Sequence, residues 1–205
     1  MQSRQLEPPV DSNDNELDAG EIIRVWITKD ALPTISIDPW IFDENEVAYS
    51  RLLCDIAQHE ARALELNGQG IASTNFDEIK ACVAESLPIC HNWPLAPFRN
   101  FPMDPDAERT RDLPIPPLAS DSDESFEIIR VWLVNPLEES DLRISLSCAE
   151  NTEQAAQLIV TLVRQIALVL HHKLAIGEDQ FFKQLSAELL KELQNPGSFA
   201  EGRLV

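Results

Sequence analysis

Glu21-Ile22-Ile23-Arg24-Val25-Trp26-Ile27 returns later in the chain as Glu127-Ile128-Ile129-Arg130-Val131-Trp132-Leu133. Six consecutive identities, one of them a tryptophan, do not arise by chance in 205 residues, and they mark a tandem duplication. The likeness runs on downstream. Leu32-Pro33-Thr34-Ile35-Ser36-Ile37 answers Leu142-Arg143-Ile144-Ser145-Leu146, and Arg51 to Ala57 answers Gln157 to Val163. Phe76 to Leu87 then matches Phe182 to Leu193. The lead-ins agree too: Leu6-Glu7-Pro8-Pro9 and Leu113-Pro114-Ile115-Pro116-Pro117 each precede an acidic Ser/Asp stretch.

Each copy reads as strand, strand, helix, helix. The first segment alternates, with Ile23, Val25 and Ile27 on one face and Ile22, Arg24 and Trp26 on the other. A turn at Lys29-Asp30-Ala31, or at Asn135 to Ser140, leads into a second strand that sends Ile35 and Ile37, or Ile144 and Leu146, to the core. Long helices are expected over 44–65 and 152–173, and shorter ones over 76–86 and 182–193. Asn151-Thr152-Glu153 supplies a capping start for the second long helix. That helix is apolar over a wider arc than its counterpart, because Ile166 stands where the first copy has Glu60 and Leu168 where it has Arg62.

A unit of this size only marginally offsets its chain entropy when alone. The expected fold is therefore α+β, with two tandem strand-strand-helix-helix repeats forming one pseudo-twofold four-stranded antiparallel sheet and helices on one face. The domains read as an acidic disordered tail over 1–19, a first repeat over 20–88, a Pro- and aromatic-rich linker over 89–112, a second repeat over 113–197 and a C-terminal tail over 198–205. The linker's Trp93, Phe98 and Phe101 lead us to expect it to pack on the surface.

A net charge of −19 repels phosphate backbones and anionic lipid, and the cations are scattered singly, so neither nucleic acid nor membrane is an expected partner. Six glycines are too few for phosphate-cradling loops. Cys54, Cys82, Cys90 and Cys148 follow no metal or disulfide spacing, and the first residues hold no apolar leader. A cytoplasmic location with reduced thiols is the expectation.

The Pro-rich lead, the Glu-Ile-Ile-Arg-Val-Trp strand and the helix carrying Leu53-Cys54-Asp55-Ile56-Ala57-Gln58-His59 together resemble the bacterial DUF5076 family, a domain of unknown function. The resemblance is best in the helix for the first copy and in the lead for the second, and spans both units. It implies a structural unit, usually present once per chain, with no known activity and no catalytic residues to carry over.

The candidate binding residues are Arg24, Trp26, Arg130 and Trp132, which alternation puts opposite the aliphatic face. A guanidinium beside an indole can bind an anion or stack on an aromatic ligand. The alternative is intramolecular, with Trp covering the sheet and Arg pairing with a nearby carboxylate. Asp55 and His59 lie one helical turn apart, but the second copy has Thr161 and Gln165 there, and Cys90-His91 lacks a second ligand pair, so no metal and no cofactor are expected. His171-His172 complement a helix C-terminus. Cys148 has no equivalent in the first copy, and no nucleophile elbow is present, so no catalytic residue is expected. Pro94-Leu95-Ala96-Pro97 has the form of a polyproline ligand.

These features point to a non-enzymatic acidic interaction or scaffold protein that binds another protein or itself through the open sheet face and helix surfaces. The alternative is a small-molecule or anion-binding regulatory module using the Arg-x-Trp face. A third reading is an acidic nucleic-acid mimic.

Overall fold

The structure, a computed structural model, describes residues 6, 19–28, 33–38, 42, 44–95, 113, 115, 124–134, 139–144, 149–196 and 202–204. Its elements in chain order are β1 (Ala19–Thr28), β2 (Thr34–Ile37), α1 (Glu46–Leu66), α2 (Ala72–Ser86), a 3-10 turn (Cys90–Asn92), β3 (Ser125–Val134), β4 (Glu139–Ile144), α3 (Thr152–Leu174), α4 (Glu178–Gln194) and β5 (Gly202–Leu204). Among the described residues the class is α+β, with four long helices and a sheet in which β1 to β4 pair antiparallel. Of the tail expected over 1–19 only Leu6 and Ala19 are described; the first hairpin turn and most of the linker lie outside the described residues, and the second turn is shorter than expected, since β4 already begins at Glu139.

β1 and β3, the two copies of the founding motif, pair antiparallel along their whole length. β2 pairs with β1, and β4 with β3, in the same sense. The strand order is β2-β1-β3-β4-β5, and β5, which the sequence reading leaves as a tail, lies parallel to β4.

The β1–β3 ladder is not regular. Glu21 faces Trp132 and Ile23 faces Val131, so Ile22 is an extra residue on β1; Val25 faces Ile129 and Trp26 faces Glu127, so Ile128 is the extra residue on β3. These are β-bulges at equivalent positions of the two copies. A bulge sets two residues against one and slips the side-chain alternation by one step. This corrects the sequence reading. Ile22 and Ile128 join Ile23, Val25, Ile129 and Val131 in the hydrophobic core instead of sharing a face with arginine. Upstream of each bulge, the glutamate turns onto the Arg–Trp side.

The helices carry the rest of the core. Asn45 and Asn151 cap α1 and α3 by accepting from the N–H groups of Ala48 and Gln154. α2 and α4 begin four residues earlier than the sequence suggests, at Ala72 and Glu178, because Ile71 and Gly177 precede them with no side-chain cap to signal the start. α1 packs on α2 of its own repeat and on α4 of the other, and α3 does the same with α4 and α2. The wide apolar arc of α3 is absorbed this way, with Ile159, Leu162, Val163, Ile166 and Leu170 all buried. α3 is long and apolar enough to cross a membrane by composition alone, but most of it lies inside the protein. The start of the linker is also tied down: Arg164 on α3 donates to the Trp93 carbonyl at 2.6 Å, and Trp93 packs against the core.

Candidate functional site

The four residues singled out by alternation sit together, and they are not on an open face. Arg24, Trp26, Arg130 and Trp132 are each 2–3% exposed. Two residues that sequence reasoning missed, Glu21 and Glu127, are buried among them at 2% and 3%. In a regular strand, positions three apart point to opposite faces. The bulge at Ile22 is what lets Glu21 share a face with Arg24, their charged groups 3.8 Å apart.

The ion pairs cross between repeats. Arg24 Nε donates to Glu127 Oε1 in a short contact, and Arg130 Nε donates to Glu21 Oε1 at 2.6 Å. Each guanidinium also lies over the indole of its own strand, Arg24 at 5.5 Å from the Trp26 ring and Arg130 at 5.4 Å from that of Trp132. The same side chains also bond to main chain. The Leu113 N–H donates to Glu21 Oε2 at 2.6 Å, and Arg24 Nη1 donates to the Leu113 carbonyl at 2.7 Å. The Leu6 N–H donates to Glu127 Oε2 at 2.8 Å, and Arg130 Nη1 donates to the Leu6 carbonyl at 2.7 Å.

The result is two equivalent clamps. In each, a carboxylate accepts from the N–H and an arginine donates to the C=O of a single leucine. The leucine of each lead docks on the strand of the other repeat. Charge-assisted bonds of this kind are about twice as strong as neutral ones, and buried arginine suits them because its donors form a rigid fork. Leucine is the residue held, and its side chain is part of the seal: Leu113 is buried.

Burial pushes the Glu21 carboxyl up to about 7, against the opposing pull of Arg130 and Arg24 and of the Leu113 N–H. Glu127 moves in the same direction for the same cause, with Arg24 opposing. Both indole N–H groups, on Trp26 and Trp132, are buried with no acceptor among the described residues.

The other candidates come apart. His59 Nδ1 donates to the Asp55 backbone carbonyl at 2.9 Å, so that pair is a helix-internal bond. Among the described residues, no group of three His, Cys, Asp or Glu side chains is gathered to hold a metal. His91 lines a pocket of about 370 Å³ with Arg164, Ala167, Glu178, Asp179, Phe182 and Lys183. Burial raises the Cys54 thiol to about 11, making it a poor nucleophile. Cys148 and the Ala96-Pro97 end of the polyproline-like run lie outside the described residues.

A duplicated α+β unit with its lead clamped onto its sister is the class that the fold and the site define. The family model of the domain of unknown function DUF5076 matches residues 5–88 and 112–197, and the chain belongs to that family in two tandem copies. Each match starts one residue before a clamped leucine, so the lead is part of the unit. No curated protein and no solved structure shows significant similarity to the chain.

Proposed function

We propose that this protein is a non-enzymatic, acidic interaction protein of the cytoplasm, which holds extended polypeptide, its own or a partner's, against the sheet face bearing Arg24, Trp26, Arg130 and Trp132. In this reading the repeats act as one pseudo-twofold body, with two hairpins contributing four antiparallel strands, helices on one face and the leads on the other. One observation carries it: each Glu–Arg pair takes both main-chain hydrogen-bonding groups of one leucine. Main-chain recognition gives affinity for an extended segment whatever its side chains, and neighbouring contacts then select sequence.

The small-molecule alternative has less support at these residues, since both guanidiniums already face carboxylates. Its better location is the pocket beside His91 and Arg164.

The test is selection of peptides on the full chain from a randomised displayed library, with affinities measured by calorimetry. Binders with micromolar dissociation constants should emerge, and Arg130→Lys should weaken them about tenfold, because lysine keeps the charge and loses the fork. A library that yields no binder, or binders indifferent to both Arg130→Lys and Arg24→Lys, would remove the proposal.

A further inference from the structure

We propose that the cavity between the turn after α2 and the α3–α4 hairpin is a binding site for a free α-amino acid with an apolar side chain, held as its zwitterion. The site shares no residue with the two clamps and does not depend on the polypeptide-holding reading.

The cavity, of about 370 Å³, is at the low end of the size range of small-molecule sites, which suits a small metabolite. Its floor is apolar, with Ala167 1% and Phe182 8% exposed. Around that floor stand two cations, Arg164 and Lys183, and two anions, Glu178 and Asp179.

The charges are sorted along the hairpin. Only residues 175–177 separate α3 from α4, and both helices line the one cavity, so α4 folds back along α3. Glu178 and Asp179 open α4 at the turn. Lys183 lies about 7.5 Å further along α4, and Arg164 about 15 Å back from the end of α3. The turn end of the cavity is therefore acidic and the far end basic.

These charges are not neutralised by one another. Arg164 donates to two main-chain carbonyls, those of Trp93 and His91, which take at most two of its five N–H donors. Among the described residues Lys183, Glu178 and Asp179 form no ion pair, although Asp179 and Lys183 stand four apart on one helix in the order that favours one. In a chain with 35 acidic and 16 basic residues, two cations without a carboxylate at one cavity call for a reason.

The first repeat supplies an internal comparison. Ala61 and Phe76 stand at the positions of Ala167 and Phe182, so the floor is common to both copies. The charges are not, since Arg164, Glu178, Asp179 and Lys183 stand where the first copy has Gln58, Ala72, Ser73 and Asp77. Packing accounts for the floor and gives no reason for four charges around it in one copy alone. A zwitterion does. Its carboxylate meets Arg164 and Lys183, its ammonium meets Glu178 and Asp179, and its side chain covers Phe182.

Calorimetric titration of the full chain with L-phenylalanine and L-leucine tests this, and each should bind with a sub-millimolar dissociation constant. Hydrocinnamate lacks the ammonium and phenethylamine the carboxylate, and both should bind at least about tenfold more weakly than phenylalanine. Glu178→Gln with Asp179→Asn should weaken phenylalanine about tenfold without weakening hydrocinnamate, and Lys183→Ala should weaken phenylalanine without weakening phenethylamine. None of these three side chains is buried, so the variants should keep the parent's melting midpoint. If one does not fold, the four-ligand comparison on the parent chain decides. Absence of binding by both amino acids in the millimolar range would overturn the proposal. So would hydrocinnamate or phenethylamine binding as tightly as phenylalanine, or affinities that no folded variant changes. The peptide selection described above reads the clamps, so either result here leaves that reading where it stood.

Discussion

Arg24 lies directly opposite Arg130 in the β1–β3 ladder. Like charges at facing positions destabilise a sheet unless something neutralises them. Here Glu127 and Glu21 do so, each reaching the arginine of the other repeat. Neither repeat is electrostatically complete without its sister.

That interdependence sets the cost of breaking a pair. Glu127→Ala removes the carboxylate to which the buried Arg24 Nε donates and leaves the more distant Glu21 as its counter-charge, and we expect it to lower unfolding free energy by about 3–5 kcal/mol, as should Arg24→Ala. The double variant should lose less than the sum, with a coupling of about 1–3 kcal/mol by urea titration. The pair Arg24→Ala with Arg130→Ala should likewise depress the melting midpoint strongly. A midpoint within a degree or two of the parent would mean that the cluster is solvated.

Stability should also depend on pH through Glu21. Its carboxyl sits near 7 in the folded chain against an ordinary 4.5. Across that interval the folded state binds more protons than the unfolded one, so this contribution is fully present below about 4.5 and is lost as pH rises through about 7. Self-repulsion in a chain of charge −19 acts in the same direction, so the parent alone is not diagnostic. Glu21→Gln isolates the effect. Its unfolding free energy should vary less between pH 5 and 8 than the parent's, and an identical slope would contradict the buried, proton-binding carboxyl.

The bulge makes a prediction that a regular strand does not. Deleting one isoleucine of the pair Ile22-Ile23 leaves Glu21, Arg24 and Trp26 on one face of β1, with the bulge at Ile128 on β3 retained. The fold should survive at a cost of about 2–5 kcal/mol, comparable to emptying one core side chain. Deleting Val25 instead turns Trp26 toward the core and should abolish cooperative unfolding. Circular dichroism melts of the two deletions separate the cases.

Ala175, which ends α3, has φ 56°, a left-handed conformation that costs an L-residue about 1 kcal/mol. The first repeat has Gly68 at φ 79° just after α1. Ala175→Gly should therefore raise the melting midpoint by a few degrees. A fall in the midpoint would show that the αL conformation is not the source of strain.

The duplication, the strand–strand–helix–helix order and the pairing of the Trp-bearing strands are all legible in the sequence, because a six-residue identity and two hydrophobic periods carry them. The faces of β1 and β3 are not. Period-two alternation assumes an even ladder, and a bulge leaves no mark on a run as uniform as Ile-Ile. Extended one residue upstream, strict alternation puts Glu21 and Glu127 on the aliphatic side, so neither enters the candidate site. A signal did exist: both glutamates belong to the repeated motif, and a buried arginine requires a carboxylate. The leucines of the leads were equally visible as repeated residues, but they act through main chain, which side-chain reasoning overlooks. The starts of α2 and α4 escaped because no capping residue announces them.

The exchange of leads between repeats has a consequence for how such a gene can change. Leu6 seats on β3 and Leu113 on β1, so excising either half by recombination leaves one clamp without its leucine and one leucine without its clamp. The clamps therefore tie the two strands and leads to each other, while the helices are under no such mutual constraint, as Ile166 standing at the position of Glu60 illustrates.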